Sequence, residues 1–271
     1  MFEPVFVLSL PPMNYLPAVA LGMKTAGVRR IEVGGWGRYL DYSDLELMTQ
    51  ARGILEANDV EVYSYHPPFG GDYDFSAIDE GAHARAVERN IRQLHVAAAL
   101  GAKYAVIHPS DGLGSTNRLF RRRNAGRGLR TLTRVAEETG VALAIENLPP
   151  GYLAADVEEL MWLVDGCESE RAGVCFDTGH AHVNGARQSE FLSRIGNKLF
   201  TIHWHDNDGS RDQHQLPGLG TIDWPDFFAG LRQLGWQRPI CLEVGLPVDQ
   251  PLTAFVSSVR EALAKESPVV T

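Results

Sequence analysis

The stretch Gly173-Val174-Cys175-Phe176-Asp177-Thr178-Gly179-His180-Ala181-His182 decides how this chain reads: a short apolar run that ends in one carboxylate and two imidazoles. A run of this length bounded by turn residues reads as a strand buried on both faces. The pattern recurs along the chain. Glu61–Tyr65 leads into His66, Tyr104–Ile107 into His108, Ala142–Ile145 into Glu146, Leu199–Ile202 into His203, and Ile240–Leu242 into Glu243. In a parallel α/β barrel the carboxyl ends of all strands meet on one face, so residues distant in sequence line one pocket.

Outward from these runs the chain alternates strand and helix patterns from end to end, which predicts β-α units and a parallel sheet. Strands are expected near Val5–Leu10, Arg30–Val33, Glu61–His66, Tyr104–His108, Ala142–Glu146, Gly173–Asp177, Leu199–His203 and Ile240–Glu243. Apolar residues at helical spacing mark Asp79–Leu100 and Asn117–Thr139, and further helices are expected at Leu16–Ala26, Ser43–Asn58, Asp156–Asp165, Gln188–Ile195, Trp224–Leu234 and Leu252–Lys265. Gly27, Gly101, Gly140, Gly173 and Gly235 follow these helices and read as their left-handed terminators. No Ser- or Pro-rich linker divides the pattern, so one (β/α)8 TIM barrel over residues 1–265 is expected, with a disordered tail at 266–271. The loops that follow strands, such as Pro67–Ile78 and His205–Ile222, are longer than those that precede them, so loop length concentrates on the ligand-bearing face.

With 271 residues, 44% of them apolar and 22% charged, the chain can bury an ample core. No apolar run reaches the roughly 18–20 residues of a membrane span, and the first residues lack a signal-peptide pattern, so a cytoplasmic protein is expected. Cys167, Cys175 and Cys241 are odd in number, two of them inside predicted strands, and read as reduced core residues. A net charge of −9 argues against a general nucleic-acid binder. Arg118, Arg121, Arg122, Arg123, Arg127 and Arg130 form a local exception, read as a solvated helix face or as a phosphate-binding rim. The oligomeric state stays open, a homo-oligomer included.

Glu146 and Glu243 follow apolar strands, where a bare carboxylate is costly unless it meets a cation or an arginine. Asp177 and His180 read as ligands in preference to helix-capping or loop residues, whereas His182 does not. Strand alternation puts His203 and His205 on one face; His203 is the deeper and reads as a ligand, with His205 supporting a ligand or touching substrate. Asp206 and Asp208 read as turn builders, and Asp212 and His214 as loop polar residues or a shared ligand pair. His66 and His108 read as core histidines or as ligands of a further ion, and His83 and His95 as surface residues. Imidazole and carboxylate donors without thiolate suit Mn, Zn, Co or Fe, with Mg also admissible. Trp36, Phe69 and Trp204 are expected to form an apolar wall of the pocket, and His180 and His205 to orient polar groups of a bound substrate.

These strand endings resemble the xylose isomerase-like barrel superfamily, which includes sugar isomerases, sugar epimerases and the endonuclease IV (AP endonuclease family 2) branch. Ile31-Glu32-Val33-Gly34, Ala99-Leu100-Gly101-Ala102, His205-Asp206-Asn207-Asp208-Gly209 and Gly218-Leu219-Gly220-Thr221-Ile222-Asp223-Trp224 are similar to the sugar isomerase and epimerase branch. That resemblance implies a single divalent ion held by Glu146, Asp177, His203 and Glu243 from strands 5 to 8. The endonuclease IV resemblance implies two or three ions, adding His66, His108, His180, Asp212 and His214. Against repair of DNA, strand 2 continues as Gly34-Gly35-Trp36, not as the aromatic, arginine-bearing loop of that branch. Against a specific ketose epimerase, Tyr152 stands where a second acidic substrate contact is common.

The expected activity is divalent-metal-dependent isomerisation or epimerisation of a sugar, sugar phosphate or cyclitol, with Glu146 and Glu243 moving protons through an enediolate. The rival is a multi-zinc phosphodiester hydrolase of the endonuclease IV kind, and a third reading is a catalytically silent sugar-binding barrel.

Overall fold

The computed structural model describes residues 2–111, 117–246 and 250–266. The strands are β1 (Pro4–Leu8), β2 (Arg30–Gly34), β3 (Glu61–His66), β4 (Tyr104–Ile107), β5 (Ala142–Glu146), β6 (Ala172–Asp177), β7 (Leu199–Trp204) and β8 (Ile240–Leu242). They pair in parallel in sequence order, and β8 returns to β1, so the sheet closes into the expected (β/α)8 barrel. Between them run α1 (Leu16–Ala26), α2 (Leu45–Glu56), α3 (Glu80–Leu100), α4 (Arg118–Thr139), α5 (Val157–Asp165), α6 (Thr178–Val183), α7 (Gln188–Ile195) and α8 (Trp224–Gln233), and α9 (Leu252–Glu266) follows β8. Part of the expected tail, residues 267–271, lies outside the described residues. No described helix is long and apolar enough to cross a membrane.

Local chemistry sets the boundaries. Asp44, Asp79, Asp156 and Asp223 each accept a hydrogen bond from the N–H three residues on, which satisfies a helix donor that has no partner inside the helix. Gly27, Gly101 and Gly140 end their helices at φ of 78°, 74° and 76°, as the sequence predicts. Gly173 does not terminate a helix. It lies inside β6, where a Cβ would sit 2.5 Å from the Lys198 carbonyl oxygen and 2.6 Å from the Phe200 ring, so it is needed for the approach of β7. β1 stops two residues early because the Leu10 N–H leaves the sheet ladder for the Tyr42 hydroxyl, 3.1 Å away, just before Pro11-Pro12.

The barrel lumen is filled by side chains. Val5, Tyr63, Tyr104, Val106, Ala142, Ala144, Cys175 and Cys241 form one interior cluster. Ala144, Cys175 and Cys241 stand two residues before Glu146, Asp177 and Glu243, so by alternation they face inward one layer below the strand ends. The lumen is therefore plugged, and the polar site sits on top. All three cysteines are free and buried.

His83 is not a surface residue. It is 6% exposed, and its Nδ1 lies 2.7 Å from the Phe75 carbonyl, so it donates to the loop that precedes α3. The α4 arginines are tied down as well. Arg118 pairs with Glu159, Arg121 with Asp74 and Arg127 with Glu80, while the Arg122 guanidinium lies 4.6 Å from the Trp162 ring centroid. Those four link α4 to its neighbours instead of forming a free phosphate-binding rim.

Candidate metal centre

Glu146 ends β5, Asp177 ends β6, His203 is the penultimate residue of β7, and Glu243 follows β8. Barrel closure brings them together: one donor atom from each lies within 4.8 Å of the others. His203 Nδ1 is 2.9 Å from Glu243 Oε2, 3.1 Å from Glu146 Oε1 and 3.8 Å from Asp177 Oδ2. Asp177 serves two purposes. Its Oδ1 accepts from the His180 N–H, 2.6 Å away, and starts α6, while Oδ2 faces His203 and His205.

Two further groups flank this tetrad. On one side His66 Nε2 and His108 Nε2 lie 3.4 and 3.0 Å from Glu146 Oε2. On the other, Asp212 Oδ2 lies 3.4 Å from His180 Nε2 and 2.8 Å from His214 Nε2. All nine residues singled out by the sequence thus share one site.

The imidazoles are oriented from behind. His66 Nδ1 is 2.9 Å from the Pro67 carbonyl, His180 Nδ1 is 2.8 Å from that of Asn147, and His214 Nδ1 is 2.8 Å from that of Glu243. A carbonyl only accepts, so each Nδ1 carries a hydrogen and each Nε2 turns toward a carboxylate. His214 reaches its place at a φ of 47°, a backbone conformation that a non-glycine residue seldom adopts.

Burial acts to lower the His180 pKa, but Asp177, Asp212 and Glu146 outweigh it and push it up to about 10. His214 rises to about 10 because Asp212 and Glu243 overcome its burial. For His203, burial is outweighed by surrounding acidic groups, and the ring is held well above the ordinary imidazole range. Burial works against ionisation of Glu146 and Asp177 too, yet His203 and His108 for the first, and His180 and His205 for the second, hold both below their usual values. For His108 burial prevails over Glu146 and lowers its pKa.

Glu146 Oε2 and Glu243 Oε2 lie close to imidazole nitrogens without a hydrogen bond aligned to them, and Asp212 Oδ1 is likewise buried without a hydrogen-bond partner. Carboxylate oxygens and imidazole nitrogens that converge without enough hydrogens between them fit a divalent cation. Glu146, Asp177, His203 and Glu243 would hold it, with no thiolate needed.

Glu243 is the tetrad residue that borders an open cavity of about 430 Å3, shared with Ser9, Trp36, His214, Val244 and Leu246. Trp36 packs edge-on to His66 at 5.0 Å, and Phe69 stacks on His108 at 4.1 Å, so both rings border the imidazoles of this face. Trp204 does not. It is 1% exposed in the outer core against Trp224, because the alternation that turns His203 and His205 inward turns Trp204 toward the helices. His205 is fully buried, with Nε2 3.0 Å from Asp177 Oδ2 and its ring stacked on His214 at 4.2 Å; it supports Asp177 and does not face the cavity.

Two residues gain roles the sequence did not assign. Glu32, in mid-β2 and fully buried, touches His203 Nε2; a charged residue inside an apolar strand was the available signal. Asn147 clasps Asp177 through its main chain, its Nδ2 donating to the Asp177 carbonyl and its Oδ1 accepting from the Asp177 N–H. Asp206 is the turn builder expected. Its carboxylate accepts from the N–H groups of Asn207, Gly218 and Ile222 and from Trp224 Nε1, which pins the long loop that carries Asp212 and His214.

Residues 22–265 match the model of the xylose isomerase-like TIM barrel family, and the chain belongs to that family. A D-psicose 3-epimerase of Enterocloster bolteae is 27% identical over 45% of this chain and 40% of its own length. An inosose isomerase of Bacillus velezensis is 23% identical over 66% and 67%, and a probable endonuclease 4 of Mycoplasmoides gallisepticum 28% identical over 60% and 58%. The chain thus spans less than two thirds of the epimerase and of the endonuclease. Among solved structures, L-ribulose 3-epimerase superposes with a TM-score of 0.81 at 15% identity, covering 98% of this chain and 94% of that one.

Proposed function

We propose that this protein is a divalent-metal-dependent isomerase or epimerase of a sugar or cyclitol, phosphorylated or not. The observation that carries the reading is the convergence of Glu146, Asp177, His203 and Glu243 within 4.8 Å beside a cavity that Glu243 borders. Sugar epimerases and an inosose isomerase among the relatives and structural neighbours support the same class of substrate.

A cation held by the tetrad would polarise the substrate carbonyl and stabilise the negative charge that develops on its oxygen. The chain's own residues do the rest. One of the carboxylates Glu146 and Glu243 removes the proton from the carbon next to the carbonyl, leaving an enediolate. A proton then returns to carbon. Delivery to the opposite face of the same carbon is epimerisation, and delivery to the former carbonyl carbon, with the hydroxyl proton leaving, is isomerisation. Trp36 and Phe69 supply apolar area against the ring carbons, and His214 borders the same cavity as Trp36.

The test is exchange of the substrate's carbon-bound hydrogen with deuterium in solvent water, measured over a panel of ketoses, aldoses and inososes. Wild-type protein should incorporate deuterium with at least one of them. Glu243→Gln should abolish incorporation while the protein stays folded and keeps measurable metal. No exchange with any member of the panel, together with cleavage of abasic-site DNA, would overturn the reading in favour of a hydrolase; the pairing of Arg118, Arg121 and Arg127 with acidic partners speaks against that outcome.

A further inference from the structure

Glu32 is the one residue of the Ile31-Glu32-Val33 core of β2 that is charged, and it is fully buried in the barrel. A carboxylate in that position is costly unless each oxygen finds a donor. Ser64 Oγ, on the neighbouring strand β3, donates to Glu32 Oε2 at 2.6 Å. The other contact crosses the barrel: His203 Nε2 hydrogen-bonds Glu32 Oε2 at 3.3 Å and lies 3.2 Å from Oε1, which itself has no hydrogen-bond partner, a pairing of residues 171 positions apart. His203 therefore sits between Glu32 on its Nε2 edge and Glu146, Asp177 and Glu243 on its Nδ1 edge.

That placement has a chemical consequence. An imidazole that gives one nitrogen to a cation keeps a single hydrogen, and an ionised carboxylate can only accept one. With Glu32 against Nε2, the hydrogen is held on Nε2 and the Nδ1 lone pair is directed at the three carboxylates. The other imidazoles of the site use main-chain carbonyls for this, as His66, His180 and His214 do with Pro67, Asn147 and Glu243. His203 alone among those four uses a buried carboxylate, which is a stronger acceptor and makes the ring a better electron donor.

We propose that Glu32, held by Ser64, is a positioning residue that fixes the tautomer and orientation of His203 and so sets the affinity of the Glu146–Asp177–His203–Glu243 tetrad for a divalent cation. The proposal rests on the reading of that tetrad as a cation site. It differs from a mere counter-ion role, in which Glu32 would steady the fold but leave cation affinity alone.

Two measurements test it. Calorimetric titration of metal-free protein with Mn2+ or Zn2+ should give a dissociation constant about 10- to 100-fold weaker for Glu32→Gln than for wild type. Ser64→Ala should weaken binding in the same direction and by less. Both variants are checked for a wild-type far-ultraviolet circular dichroism spectrum. An unchanged constant in a folded Glu32→Gln variant overturns the role of Glu32 and leaves the cation reading standing. Failure of wild-type protein to bind either ion overturns both. Should Glu32→Gln not fold, nitrogen-15 spectra of histidine-labelled wild-type protein loaded with Zn2+ decide: a hydrogen on Nε2 of His203 supports the proposal, and one on Nδ1 refutes it.

Discussion

Gly220 illustrates how much of the site depends on atoms that touch no ligand. A Cβ at this position would come within 2.3 Å of both the Asn207 carbonyl oxygen and Asp206 Oδ1, and neither can retreat, because Asp206 is already anchored by four donors. Gly220→Ala is therefore expected to cost about 1–3 kcal/mol, read as a lowered denaturation midpoint, and to weaken cation binding by displacing His214, whose Nδ1 donates to the Glu243 carbonyl and so steadies a residue of the tetrad. A variant with wild-type midpoint and affinity would show that the loop yields freely. At this same scale the sequence was clear where a residue ends a strand and unclear where it lies inside one. Glu146, Asp177 and Glu243 stood out at the ends of apolar runs. Glu32 was visible as a charge in a strand, but its partner lies 171 residues on and is met only when the barrel closes.

Among the elements, α4 separates structural charge from decorative charge. Arg118 Nη2 donates to the Tyr152 carbonyl at 3.1 Å, and the same guanidinium pairs with Glu159, which is 8% exposed and also accepts from the Ala154 N–H at 2.9 Å. Removal of Arg118 leaves a buried carboxylate short of a partner, so Arg118→Ala is expected to destabilise by about 1–3 kcal/mol. The Arg127–Glu80 pair is exposed to water, and Arg127→Ala should leave the melting temperature unchanged. Equal effects of the two substitutions in parallel thermal melts would contradict this division. Helical periodicity located α3 and α4, but not which polar residues turn inward. His83 on α3 is buried because the loop around Phe75 folds over it, a contact that no spacing rule encodes. Trp204 was misassigned for a different reason: the alternation that placed His203 and His205 inward already required it to point out.

For the molecule as a whole, the gathered acids and imidazoles predict how stability, and its response to metal, depend on pH. In metal-free protein His180 and His214 have pKa values raised to about 10, so the stability they contribute is fully present below the unfolded value of about 6.5 and is lost as pH rises toward 10. Glu146, Asp177 and Asp212 are depressed, so their contribution is present above the unfolded value of about 4 and is lost as pH falls through their folded values. A cation in the tetrad takes over the neutralising role of these protons and competes directly with the proton on His203 Nδ1, in a ring that its acidic neighbours hold well above the ordinary imidazole range. The gain in melting temperature on adding Mn2+ to chelator-treated protein should therefore grow between pH 6 and pH 9. A gain that shrinks over this range would count against His203 as a ligand.

The sequence by itself determined the barrel and the ends of its strands, because buried parallel strands are short apolar runs and the residue that ends each run must face the common rim. It also supplied the nine donors in chain order. Only the tertiary structure decided which of them turn their lone pairs inward, that Asp177 both caps α6 and faces the tetrad, and that Glu32 and Asn147 hold His203 and Asp177 from behind. The physical reason is that tautomer, orientation and acidity are set by neighbours across the barrel. Those neighbours exist only once β8 has closed against β1.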